Sequence, residues 1–174
     1  EELIIEDFIK ELHKDISKVN ETFEIIFIDN KSSDETISKI KDNFKIFDNA
    51  KIICLTNYFG KESAILSGID NSKGNICIIM DPDLEDPPSL IQEMINEHKK
   101  GYNVVYAVRK TIETTFIKKI MRSIFYFLYQ TLVDKNFLIP ENTGDFRLID
   151  EKIIKQLKNM RERTRFLRGL VSFI

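Results

Sequence analysis

Cysteine, histidine and long apolar runs are scarce in this chain of 174 residues. Its two cysteines, Cys54 and Cys77, lie in apolar strand-like runs, where a free thiol behaves as a small hydrophobic group. We therefore expect no disulfide framework, no Cys/His metal centre and a reducing compartment. His13 and His98 lie in helical patterns without metal-ligand spacing. No apolar run reaches the ~18 residues of a membrane-spanning helix, and nothing resembles a signal peptide.

Charge, in contrast, is abundant and unevenly distributed. The whole chain has a net charge of -2, but residues 1–107 carry 12 basic against 21 acidic side chains, and residues 108–174 carry 14 against 7. The acidic part suits a cation, and the basic part suits phosphate or a membrane surface. Nucleic-acid binding is disfavoured, because no recognition motif is present and the acidic part would repel a phosphate backbone.

Apolar periodicity predicts alternating helices and strands. Strands are predicted at residues 24–29, 51–55, 76–80 and 104–108, and helices at 3–19, 32–47, 60–69 and 88–100. The second helix is predicted to begin in a capping box formed by Ser32 and Glu35. This alternation predicts an α/β fold with a doubly wound, mostly parallel sheet and helices on both faces. Because such folds normally begin with a strand, we expect a first strand to be missing from this chain.

The pattern after residue 108 is less regular. Residues 115–133 place a broad apolar face on a predicted helix with basic side chains beside it. A helix packed on the core is the plainer interpretation, and a helix lying on a bilayer surface is the alternative. Further elements are predicted as a short strand at 143–148, a helix at 150–159 and a basic helix at 161–174.

Asp81-Pro82-Asp83, at the end of the strand 76–80, is the clearest candidate site. In extended backbone residues i and i+2 point the same way, and Pro82 favours that conformation at Asp81, so the two carboxylates can converge. Converging carboxylates suit Mg²⁺ or Mn²⁺, whose coordination substrate phosphates often complete. A solvated acidic loop is the alternative; the carboxyl end of a parallel strand, where open α/β sheets bind ligands, favours a site.

Several motifs taken together resemble one family. Residues 28–34 resemble the Asp-Asp-Gly-Ser-x-Asp turn of family 2 glycosyltransferases, and Asp81-Pro82-Asp83 resembles their Asp-x-Asp motif. Residues 57–64, 81–88, 144–148 and 165–170 resemble one subgroup of this family more narrowly. That subgroup glycosylates polyprenyl phosphates and includes dolichyl-phosphate mannose synthases and bactoprenol glucosyltransferases. The resemblance implies a GT-A fold, a UDP- or GDP-sugar donor, Mg²⁺ or Mn²⁺, a polyprenyl phosphate acceptor and inversion at the anomeric carbon.

The resemblance also implies a role for each matching residue. On the donor side it implies nucleoside contacts for Asp29 and Asn30, and a place near the ribose or the metal for Asp81. Asp83 would hold the metal on the diphosphate; Glu85, where the family often has Gln, would be a further ligand or face solvent. The catalytic residues would be Asp83 and Asp145, the latter beside the acceptor. Acceptor phosphate contacts are implied for Arg109, Lys119, Ser123, Arg147 and Arg168.

The resemblance covers residues 1–174 and implies one catalytic domain, with a nucleotide-sugar part over about 1–108 and an acceptor part over about 109–174. Lys31 departs from the small residue usual in the first turn. The first strand and the transmembrane helices of many members are not present, so we expect a fragment of a protein anchored at the cytoplasmic face of a membrane. Whether it forms a homo-oligomer is left open.

Three other interpretations remain. A family 2 transferase with a hydroxyl acceptor is disfavoured by the run 165–169. A phosphoaspartyl phosphatase is disfavoured because Glu85 stands where Thr or Val is required. A non-catalytic nucleotide-sugar-binding module is hard to reconcile with the full set of acids, Asp29, Asp81, Asp83 and Asp145. Because a phosphate acceptor is already anionic, Asp145 is a weaker candidate for a general base, and it could instead pair with Arg147 or Arg109.

Overall fold

The computed structural model describes residues 1–108, 143–160 and 167–173. The helices are α1 (Ile5–Ile16), α2 (Thr36–Asn43), α3 (Lys61–Asn71), α4 (Ile91–Lys99), α5 (Glu151–Asn159) and α6 (Leu167–Phe173). The strands are β1 (Ile25–Asp29), β2 (Ala50–Cys54), β3 (Ile76–Ile79), β4 (Val104–Val108) and β5 (Thr143–Asp150). Short 3₁₀ turns follow α2 and precede α4. The helix predicted at 115–133 lies outside the described residues.

The described strands form two sheets. β1 pairs in parallel with β2, and β5 lies between β3 and β4 and is antiparallel to both. Since β3 and β4 both oppose β5, they run parallel to each other. The predicted α/β class is therefore confirmed. The described strands form one parallel sheet of two strands and one antiparallel sheet of three, because the strand predicted at 143–148 lies between β3 and β4 and runs against both.

Helices cover both faces of the strands, as predicted. Along β5, side chains alternate between two apolar clusters, with Phe146 and Leu148 in one and Ile149 in the other. The first cluster contains buried residues of α1, α2 and α4, and the second contains buried residues of α3, α5 and α6. Because β5 is buried on both faces, its position is fixed from both sides. Polar side chains on this strand are consequently held in a low-dielectric environment.

The predicted capping box of the second helix is wrong. α2 begins at Thr36, and its N-cap residue, Glu35, makes no side-chain capping hydrogen bond. The backbone N–H of Ser32 instead donates to the Asp29 carboxylate at 3.1 Å, so Ser32 belongs to the turn after β1. Asp34 then accepts from the N–H of Thr36 at 3.1 Å. The carboxylate that ends β1 therefore competes successfully for the amide that the predicted cap required.

The two cysteines differ in their surroundings. Both are free, but Cys54 is exposed at the end of β2, which its apolar sequence context did not predict. Burial raises the pKa of the Cys77 thiol to about 11, so this thiol stays protonated and unreactive at neutral pH. Across the described ranges, none of the helices combines the length and apolar character needed to cross a membrane.

Candidate active site

The carboxylate that ends β1 is held by the turn that follows it. Asp29 is buried, and its carboxylate accepts hydrogen bonds from the backbone N–H groups of Lys31 and Ser32. To present its N–H in this way Lys31 adopts a φ of 70°, in the left-handed region, which costs an L-residue about 1–2 kcal/mol. A glycine, which has no Cβ, would meet this demand more easily. The departure at Lys31 thus leaves the position of Asp29 intact.

A second loop is tied to the end of β1. Asn30 accepts a hydrogen bond from the backbone N–H of Phe59 at 3.0 Å. Tyr58 and Phe59 both expose their rings, and Gly60, with a φ of 84°, then turns the chain into α3. The loop that meets Asn30 therefore delivers Lys61, the first residue of α3, towards the strand ends.

The antiparallel register brings two of the predicted acids together. Ile79 of β3 pairs with Arg147 of β5, so continuing the register by two residues places Asp81 opposite Asp145. The Nζ atom of Lys61 lies 2.5 Å from Oδ2 of Asp81 and 2.6 Å from Oδ2 of Asp145. An acid from the donor-side motif and an acid from the acceptor-side motif thus share one ammonium group.

The other carboxylate oxygen of Asp145 contacts Arg147. Nη2 of Arg147 donates to Oδ1 of Asp145 at 2.9 Å, and Nε donates to the Asp145 carbonyl oxygen at 3.2 Å. The guanidinium carbon also lies 5.7 Å from the ring centroid of Tyr106, within reach of a cation–π interaction. The Arg147 side chain is 0% exposed. From the sequence, pairing with Arg147 was the alternative to a catalytic role for Asp145, and the structure contains this pair. The phosphate contact implied for Arg147 stays a prediction.

Lys61 lies within residues 57–64, one of the stretches that resemble the family, but it was not predicted to be a site residue. Burial alone would lower the pKa of its ammonium, but the hydrogen bonds with Asp145 and Asp81 outweigh burial and raise the pKa above its ordinary value. One sequence signal was available. A cation in the first turn of a helix opposes the helix dipole, so a lysine at that position is favoured by a nearby acidic partner.

The residue after Lys61 connects the site to α6. The Glu62 carboxylate accepts a hydrogen bond from the backbone N–H of Leu167, the first residue of α6, at 3.0 Å. The second residue of α6 is Arg168, one of the acceptor phosphate contacts implied by the resemblance. Of the other implied contacts, Arg109, Lys119 and Ser123 lie outside the described residues.

The Asp81–Asp83 segment offers two hard oxygen ligands after β3. Asp83 is half-buried and accepts from the backbone N–H of Glu85 at 3.0 Å, in a tight turn where Leu84 has a φ of 60°. Glu85 itself is exposed. Among residues 1–108, 143–160 and 167–173 no three His, Cys, Asp or Glu side chains are arranged to hold a metal ion. Carboxylate oxygens such as those of Asp81 and Asp83 are ligands that Mg²⁺ or Mn²⁺ accepts, and one or two of them would hold such an ion together with a bound phosphate.

Comparisons with known proteins identify the family of the chain. Residues 1–158 match the family described as glycosyl transferase family 2. The uncharacterized glycosyltransferase YkcC of Bacillus subtilis is 40% identical over 175 residues, which cover 100% of this chain and 54% of that protein. The prophage bactoprenol glucosyl transferase homolog of Escherichia coli K12 is 34% identical over 153 residues, or 87% of this chain and 49% of that protein.

A solved structure supports the fold. The crystal structure of S. aureus TarS 1-349 matches with a TM-score of 0.55 at 15% sequence identity, covering 97% of this chain and 50% of that chain. The fold is accordingly GT-A-like, as the resemblance implied. The chain belongs to glycosyl transferase family 2. It spans about half the length of the curated relatives it matches.

Proposed function

We propose that this chain is a catalytic domain that transfers a sugar, with inversion, from a nucleoside diphosphate sugar to a polyprenyl phosphate at the cytoplasmic face of a membrane. Residues 1–108 would bind the donor and residues 109–174 the acceptor. The observation that carries the proposal is the ion-pair group formed by Lys61, Asp81, Asp145 and Arg147. It joins an acid of the donor motif to an acid of the acceptor motif at one edge of the sheet.

The reaction forms a bond between an oxygen of the acceptor phosphate and the anomeric carbon, and it breaks the bond from that carbon to the donor diphosphate. A divalent ion at Asp83, with Asp81 beside it, would supply a Lewis acid for the charge on the leaving diphosphate. The acceptor phosphate is already anionic and needs no base. Asp145, whose two oxygens contact Lys61 and Arg147, therefore serves to orient basic groups around the acceptor rather than to remove a proton.

The names of the relatives support the choice of acceptor. The Escherichia coli relative and a Shigella phage SfV relative, 33% identical over 153 residues, are both named as bactoprenol glucosyl transferases. The basic residues 161–174 and the apolar helix predicted at 115–133 are consistent with an acceptor that arrives from a bilayer. A hydroxyl acceptor, as in surface polysaccharide synthesis, is the second candidate, because the family match alone does not distinguish acceptors.

A thermal-shift panel followed by a transfer assay tests the proposal. UDP, GDP, CDP and their sugars are added with and without Mn²⁺; a ligand at 100 times its Kd stabilises the fold by about 2.7 kcal/mol, or roughly 5–11 °C for a chain of this size. The nucleotide that gives a metal-dependent shift is then assayed with undecaprenyl phosphate, dolichyl phosphate and an oligosaccharide acceptor. Transfer only to the oligosaccharide would favour the second candidate.

Asp83→Asn is the decisive variant for the metal role. We expect it to abolish the metal-dependent shift and to reduce transfer at least 100-fold, because the amide cannot replace an anionic oxygen ligand. The stability of the unliganded chain should stay within about 0.5 kcal/mol, since within the described ranges Asp83 accepts a local turn hydrogen bond from Glu85 and no other. Asp42→Asn, an exposed site on α2, is the matched control. Full activity of Asp83→Asn would contradict the role given to this carboxylate.

A further inference from the structure

Lys61 contacts two acids of the site, Asp81 and Asp145, and the proposed reaction uses only its contact with Asp145. Its ammonium contacts Oδ2 of Asp81 and Oδ2 of Asp145, at 2.5 and 2.6 Å. The Lys61 side chain is half exposed, whereas Asp145 is 9% exposed. A divalent cation that approaches Asp81 therefore meets a positive charge already bound to the same carboxylate.

The position of Lys61 is fixed by its neighbours. It begins α3, where the N–H of Ala64 donates to the carbonyl of Gly60 at 3.2 Å and Ser63 Oγ donates to the carbonyl of Phe59 at 2.9 Å. The contact between Glu62 and α6 anchors the same turn from the other side. Because the backbone is held at several points, the lysine side chain can release Asp81 by rotating, without movement of α3.

Among the described residues, the four charged side chains of this ion-pair group balance one another before any ligand binds. Lys61 and Arg147 carry two positive charges, and Asp81 and Asp145 carry two negative charges. A divalent ion added alone would leave this group with excess positive charge. An ion that arrives with a diphosphate brings its own counter-charge, and the diphosphate offers the displaced ammonium new acceptor oxygens.

We propose that Lys61 makes metal binding at Asp81 depend on the diphosphate of the donor. In the ligand-free protein Lys61 is a positioning residue that holds Asp81 and Asp145 together. When donor and metal bind, Lys61 exchanges Asp81 for the diphosphate and keeps Asp145 in place. This inference rests on the proposed function, because it takes the anion to be the donor's diphosphate.

Titration with Mn²⁺ alone, followed by the electron paramagnetic resonance signal of the free ion, tests the inference without turnover. We expect Lys61→Met to bind Mn²⁺ at least tenfold more tightly than the wild type in the absence of nucleotide, because Asp81 is freed and one positive charge is removed. In the same variant kcat should fall at least 100-fold, because Asp145 loses its link to Asp81. Mn²⁺ affinities within twofold of each other, or no Mn²⁺ binding by either protein, would overturn the inference.

Three further variants separate the effect of the Lys61 charge from a general effect on folding or on surface charge. Lys61→Arg retains the charge and should bind Mn²⁺ as weakly as the wild type. Lys61→Gln removes the charge but keeps a side chain that can form hydrogen bonds, and it should bind Mn²⁺ as tightly as Lys61→Met. If Lys61→Met does not fold, the Mn²⁺ affinity of Lys61→Gln tests the inference instead. Lys99→Met removes an exposed ion pair with Glu21 at 2.6 Å and should change nothing. A wild type that transfers no sugar refutes the proposed function, while the Mn²⁺ comparison still decides the role of Lys61.

Discussion

Replacing Arg147 by methionine tests how much the buried ion pair with Asp145 contributes to the free energy of unfolding. The guanidinium is 0% exposed, makes two hydrogen bonds to Asp145 and lies 5.7 Å from the centroid of the Tyr106 ring. Removing one partner of a buried ion pair typically costs ~3–5 kcal/mol, because the other charge is left buried. Asp145 keeps Lys61 as a second partner, so we expect the lower end, a loss of about 3 kcal/mol in the free energy of unfolding.

Urea denaturation measures this loss. With an m-value of about 2 kcal/mol/M, the midpoint should fall by roughly 1.5 M. Adding Asp145→Asn to Arg147→Met should cost less than the sum of the two single losses, by at least about 1.5 kcal/mol, because the double variant leaves no uncompensated carboxylate. Lys51→Met, which breaks a partly exposed ion pair with Glu24, is the control and should cost at most about 1 kcal/mol. A loss below about 1 kcal/mol for Arg147→Met, or strict additivity, would refute the reasoning.

Two further predictions concern stability. Asp150 caps α5 by accepting the backbone N–H of Ile153 at 2.9 Å, so Asp150→Ala should lower the free energy of unfolding by about 1–2 kcal/mol and Asp150→Asn by less; equal losses would argue against the cap. The hydrogen bond from Lys51 lowers the pKa of Glu24 below its ordinary 4.5, against the opposing effect of burial, with the N–H of Lys73 also contributing. The folded pKa is depressed, so this stabilisation is present above about pH 4.5 and is lost as the pH falls through the folded value. Glu24→Gln should be about 1 kcal/mol less stable than the wild type at pH 7 and should approach it near pH 2; a gap that does not narrow on acidification would contradict the assignment.

Local patterns predicted most of the described elements. β1, β2, β3 and β4 each lie within one residue of the predicted ends, because short apolar runs bounded by polar residues specify buried strands. The start of α2 was predicted wrongly, because a capping box depends only on local spacing, whereas the amide of Ser32 is taken by Asp29 at the end of the preceding strand. Tertiary competition of this kind does not appear in a local pattern.

The candidate site was only partly predictable. Asp29, Asp81 and Asp145 were identified as acids, and Arg147 was named as an alternative partner of Asp145. The contacts of Lys61 with Asp81 and Asp145, and the backbone partners of Asp29, were not predicted. The pattern of β5 indicates a strand without indicating its neighbours, so the register that places Asp145 opposite Asp81 could not be predicted. The role of Lys61 depends on that register, since its ammonium contacts an acid from each strand. Residues whose role comes from a long-range pairing are the ones that local patterns miss.

The pairing of β5 with β3 has a consequence for the order in which the site is made. Positions 81 and 145 are 64 residues apart, so bringing them together carries a loop-closure cost of about 4 kcal/mol. During synthesis, at roughly 5–20 residues per second, Asp145 follows Asp81 by about 3–13 s. In that interval Asp81 and Lys61 can meet, but the acceptor-side acid is not yet available. The strand that joins β3 to β4 therefore also brings Asp145 to Lys61 and Asp81.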